Sequence, residues 1–143
     1  MAKIPSSAEL LTVQRTPTVV HFEITSADSS QTFSIPVKAG TFVHEVATFV
    51  QVAFTAATGT PSLKIGDSSN LNGYLNTDDV VVDIIDTFTT SSFARGEAFA
   101  YGKYYAVDDS IKLTFVAATT GGTAGTVKGF VVLSNVKLDG IAE

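Results

Sequence analysis

Cysteine and tryptophan are missing from this chain, and charged residues fill only 16% of its 143 positions. Without cysteine there is no disulfide and no thiolate metal site, so the fold rests on its core or on assembly. A run of roughly 18 apolar residues, the signature of a transmembrane helix, is also lacking. The nine basic residues stand singly in a chain of net charge −5. Neutralising phosphates takes clustered Lys and Arg, so neither a nucleic-acid nor a membrane partner is expected. The opening MAKIPSSAELL has no charged start followed by a sustained apolar stretch, so a secretory signal is not expected. Synthesis and action in a cytoplasm, or assembly there before release, fits. Reactive motifs are wanting too. No G-x-S-x-G occurs, and the glycine-rich stretch Gly121–Gly125 lacks the Lys and the strand-to-helix setting of a phosphate cradle. No catalytic, cofactor-binding or metal-ligating residue is assigned, and no enzyme is expected.

What is present is apolar. Hydrophobic residues make up 45% of the sequence, against a charged fraction well below the usual value of about 25%. The length suits one domain that buries roughly two-thirds of its unfolded surface. Part of the apolar excess is therefore expected in an interface between subunits, since many weakly charged strands would otherwise aggregate.

Periodicity gives an all-β reading. Residues 1–17 show no clean period and end at Arg15-Thr16-Pro17, which suggests an N-terminal arm ahead of a domain over 18–143. Thr18–Ile24 alternates, with Val20, Phe22 and Ile24 opposite His21 and Glu23, as a half-buried strand does. Gln31–Lys38 contains Pro36, which places it at a sheet edge or strand end. Thr41–Phe54 has a stripe that would also suit a helix (Val43, Val46, Ala47, Val50). Its recurrent Val and Thr favour a strand. Ser62–Ile65 is a short strand before a polar loop, and Asp79–Phe88 is a strand or a short helix. Lys103–Val107 and Ser110–Ala117 flank an Asp108-Asp109 turn. Thr119–Gly125 reads as a flexible hairpin loop. Thr126–Leu138 is apolar on both faces, so it is central or covered by a partner. About eight strands with turn signals every ten residues suggest a β-sandwich or jelly roll.

Three constellations invite chemistry. His21 and His44, each beside a glutamate, have the residue types of an open metal site, but solvent-facing strand histidines are the plainer reading. Asp67, Asn70, Asn72 and Asp78 form an oxygen-rich loop of the kind that binds calcium. Its spacing departs from the EF-hand, and Asn and Asp serve turns for their own sake. Tyr101, Tyr104 and Tyr105, with Phe93 and Phe99, are an aromatic group that suits either a sugar or a subunit contact.

The stretches Ala39-Gly40-Thr41-Phe42-Val43, Val52-Ala53-Phe54 and Leu63-Lys64-Ile65-Gly66-Asp67 form one set of patterns. Asp109-Ser110-Ile111-Lys112-Leu113, Gly122–Gly125 and Leu133-Ser134-Asn135-Val136 form another. Together they resemble tailed-bacteriophage virion structural proteins, in particular capsid decoration or cement proteins with a jelly-roll or β-sandwich fold. The resemblance implies a homotrimer that binds the major capsid protein on the capsid surface and is assembled in the host bacterial cytoplasm. It implies that arm 1–17 clasps a neighbour or the shell. The alternative it leaves is a tail or fibre component whose sandwich binds a host glycan.

Overall fold

The computed structural model describes residues 17–75, 98–99 and 101–135. Among them are seven strands: β1 (Thr18–Thr25), β2 (Gln31–Val37), β3 (Thr41–Val52), β4 (Ser62–Gly66), β5 (Lys103–Tyr105), β6 (Asp109–Val116) and β7 (Thr126–Asn135). They form two antiparallel sheets, sheet A in the order β1-β7-β3-β5 and sheet B in the order β2-β6-β4. The protein is an all-β sandwich, as its alternating pattern suggested. Arm 1–16, the segment Asp79–Phe88 and the residues after Asn135 lie outside the described residues.

The core lies between the sheets. From sheet A, Ile24, Val43, Val46, Val50, Val127 and Val131 face Leu63, Ile65, Ile111, Leu113 and Phe115 of sheet B, all buried. Such residues each contribute roughly 1.5–3 kcal/mol on leaving water. The sequence places them at every second position in β6 and β7, so one face of each strand is apolar.

β3 departs from that alternation, and the ladder explains why. Val43 pairs with Leu133 and Glu45 with Val132, which leaves His44 as the extra residue of a bulge. A bulge puts two residues opposite one. The buried positions therefore run 41, 43, 46, 47, 48 and 50 instead of strictly alternating. That slip is the source of the helix-like stripe in the sequence; the strand assignment was right.

Two further expectations hold, and two fail. Pro36 sits in β2, an edge of sheet B. β7 is central in sheet A, between β1 and β3. Thr119–Gly125, however, is no hairpin loop: β6 belongs to sheet B and β7 to sheet A. The stretch crosses the sandwich and is pinned on the way. The Thr55 hydroxyl accepts the backbone N–H groups of Thr123 (2.9 Å) and Ala124 (3.0 Å) and donates to the Gly121 carbonyl (3.0 Å). Lys103–Val107 is also shorter than its pattern suggested, ending at Tyr105, with Val107 exposed.

Candidate functional site

The polar loop after β4 turns its first residue inward. Asp67 is completely buried, and every direction around its carboxylate is taken. Oδ1 accepts the backbone N–H of Ser69 (2.9 Å), the Ser69 hydroxyl (2.7 Å) and the N–H of Asn70 (3.0 Å). Oδ2 pairs with the Lys103 ammonium and accepts the Tyr105 hydroxyl at 3.0 Å. Since the single phenolic proton of Tyr105 goes to the carboxylate, Tyr74 is the donor in the 2.8 Å bond between the two tyrosine hydroxyls. Lys103 also lies over the Phe99 ring, 4.2 Å from its centroid, a favourable cation–π position.

Burial alone would raise the Asp67 pKa. The bonds from Lys103, Ser69 and the Asn70 amide outweigh it and hold the carboxyl at about 2. Burial pushes both Tyr105 and Tyr74 well above the ordinary phenol value, and the nearby Asp67 charge adds to it. All three groups therefore keep one protonation state at neutral pH. They form a fixed clasp between β5 of sheet A and the loop leaving β4 of sheet B.

This clasp answers the calcium expectation at the residues described. The Lys103 ammonium stands where a cation would have to sit on Asp67. Asn70 Oδ1 accepts the Asn72 N–H at 3.3 Å, which is turn chemistry. Asp78 lies outside the described residues, and among those described no group of three or more His, Asp or Glu side chains is placed to hold a metal.

The histidines are apart in the fold. His21 is exposed on β1, with its ring edge-on to Phe130 at 6.2 Å. His44, on the bulge, bonds the Ser134 hydroxyl at 2.6 Å and stands edge-on to Phe42 at 4.9 Å. A serine beside a histidine suggests nucleophilic chemistry, which needs a third group to orient the base and donors for an oxyanion. Among the described residues no carboxylate bonds His44, and Ser134 is buried. The bond serves to fix the bulge.

The tyrosine group divides. Tyr105 is buried in the clasp, and Phe99 packs edge-on against Tyr74 at 4.9 Å. Tyr101 and Tyr104 remain 77% and 50% exposed. Phe93 lies outside the described residues. A cavity of about 220 Å³ opens at the other end of the sandwich, between Phe54, Pro61, Phe115 and the loop Ala117–Gly122, with no charged side chain in its wall. Sequence reasoning missed Lys103 as a partner of Asp67. The only local hint was a lysine set among aromatics at the start of a strand.

Fold and site together define an antiparallel β-sandwich built around a polar clasp, with no arrangement for catalysis among the described residues. Comparison with solved structures places that architecture beside capsid proteins of two phages. A chain from the capsid asymmetric unit of cyanophage Pam1 shares it at a TM-score of 0.58 and 14% identity, over 84% of this chain and 85% of that one. A chain from the acidic stable capsid structure of Helicobacter pylori bacteriophage KHP30 does so at a TM-score of 0.53 and 16% identity, over 85% and 95%. At such identities the likeness is one of fold. No known protein-family profile and no curated protein matches the sequence.

Proposed function

We propose that this chain is a non-enzymatic structural protein of a tailed-phage virion, a decoration or cement protein that binds the assembled major capsid protein and stabilises the shell. In this reading it is a trimer on the capsid surface, assembled in the host cytoplasm, and arm 1–17 contributes to its contacts. The observation that supports it most is a sandwich shared over most of both chains with the two capsid structures. The composition agrees: an apolar excess, few charges and no cysteine. The reading of a glycan-binding tail component is weaker, because its Tyr101–Tyr105 platform has lost Tyr105 to the core. Copy number decides between them. Quantitative mass spectrometry of purified particles is expected to give a simple large ratio to the major capsid protein. A handful of copies would move the chain to the tail, and absence from the particle would end the structural reading.

A further inference from the structure

The edges of the two described sheets are not alike. β2 carries Pro36, which has no N–H to offer. β4 is five residues long and its outer side is taken: Ile65 gives its N–H to Leu75 (3.0 Å) and accepts that of Tyr74 (2.9 Å). β5 has only three residues. β1, the other edge of sheet A, has eight, with neither proline nor bulge. The Ser26 N–H reaches the Gly125 carbonyl at 3.0 Å, continuing the ladder to β7. Bonding sides alternate along a strand, so Ile24, Phe22 and Val20 also face β7. Thr25, Glu23, His21 and Val19 present their N–H and C=O groups to the opposite side. Thr25 agrees: its N–H donates to Asp28 Oδ2 at 2.8 Å and its carbonyl accepts the Asp28 N–H at 3.0 Å. That turn closes one end of the edge. Among the described residues nothing bonds the outward N–H and C=O groups of Val19, His21 and Glu23.

We propose that β1 pairs with β1 of a second copy, antiparallel about a two-fold axis, so that two A sheets become one continuous sheet. The free groups select both the occupant and the register. An antiparallel edge is its own complement about a two-fold, and among the described edges β1 alone is long and unblunted. With His21 opposite His21, Val19 of each copy lies opposite Glu23 of the other. Residues opposed in this way exchange both N–H···O bonds, so every free group on both edges is met. Sliding the strands to set Glu23 opposite His21 brings Val19 against Thr25, whose groups Asp28 already holds. Sliding the other way, with Val19 opposite His21, brings Glu23 against Pro17, which has no N–H. A slip of one residue would put inward side chains on the outer face. The pairing does not rest on the virion reading. It is compatible with the proposed trimer, which a two-fold contact would link to its neighbour.

The cysteine-free sequence allows a single-thiol test. On oxidation His21→Cys is expected to form about tenfold more disulfide dimer than Val19→Cys. In the paired register the two His21 Cα atoms are about 5.5 Å apart, within disulfide reach. The two Val19 residues are offset by about 14 Å along the strands. A mixture of Val19→Cys and Glu23→Cys chains should link to each other. In the unaltered protein, amide exchange read by NMR should slow at Val19, His21 and Glu23 as sedimentation shows dimer forming. His21→Pro removes an edge donor and no bond to β7. It should keep its fold, by thermal melting in circular dichroism, and dimerise about tenfold more weakly. Equal linkage of His21→Cys and Val19→Cys overturns the proposal. So does protection of those amides in a sample that sediments as monomer, because the chain's own segments would then hold the edge. Fast exchange there at every concentration overturns it as well. Particle copy number is independent of these results, so the two readings fail separately.

Discussion

At the scale of single residues, Asp67 decides how the protein meets acid. Its folded-state pKa of about 2 lies below the ordinary 3.8, so the unfolded chain takes up the proton first as pH falls. The stabilisation is complete above about pH 4 and drains away between pH 4 and pH 2, amounting to about 2 kcal/mol. Asp67→Asn should abolish that slope. At pH 7 it should also cost about 2–4 kcal/mol, because the Lys103 ammonium keeps its place with no counter-charge. Urea unfolding midpoints taken from pH 2 to pH 7 measure both effects; an Asn variant with the wild-type slope would clear Asp67 of the role. Tyr105→Phe removes the hydroxyl that joins Tyr74 to the carboxylate. It should cost about 1–3 kcal/mol in the same assay, with the acid slope retained in weakened form. The sequence made Asp67 legible as a turn residue. It could not reveal the ion pair, because Lys103 lies 36 positions away and only the stacking of the two sheets brings them together.

Elements show a different limit of legibility. Strand positions were legible in the sequence for all seven described strands, to within about three residues. They follow from alternation in β1, β6 and β7, from Val and Thr content in β3 and from the flanking Pro61 and Gly66 in β4. Partners do not follow. Neighbours in sequence usually pair in space, yet here β1, β3, β5 and β7 are in sheet A while β2, β4 and β6 are in sheet B. Each short connection described therefore crosses the sandwich, and turn signals such as Asp108-Asp109 mark crossings where hairpins were the natural expectation. The bulge in β3 gives this a test. Since His44 has no partner across the ladder, deleting it leaves Val43 opposite Leu133 and Glu45 opposite Val132. The fold should survive with a loss of about 1–3 kcal/mol, from the Ser134 bond and local repacking. Deleting Ala47 instead shifts Thr48 and Val50 to the wrong face, as any one-residue slip must, and should give insoluble or unfolded protein. Soluble expression and thermal melting of the two deletions compare them directly. If both behave alike, the bulge is not the slack in this strand.

For the molecule as a whole, the asymmetry between its faces matters more than its net charge. A freestanding β-sandwich covers both outer faces with polar residues, as sheet B does with Thr32, Ser34, Lys112 and Thr114, Val116 at its end excepted. Among the described residues sheet A instead turns Val19, Phe130, Val132 and Val52 outward, beside Glu45 and the ion pair of Glu23 with Lys128. Apolar side chains exposed there, such as Val19 and Val52, suit a contact surface. If the chain is a shell protein, sheet A is where it is sensitive. Phe130→Asp should then reduce association with particles by about tenfold or more, because a carboxylate in a dehydrated contact costs more than the lost ring. Thr114→Asp, on the opposite face, should leave association within about twofold of wild type. Each variant's own melting temperature is the control for folding. Particle melting temperature gives a second readout, since a component that binds only the assembled shell raises it in proportion to its affinity. Should Thr114→Asp be the variant that detaches, the contact lies on sheet B, and the apolar face of sheet A is turned toward something other than the shell.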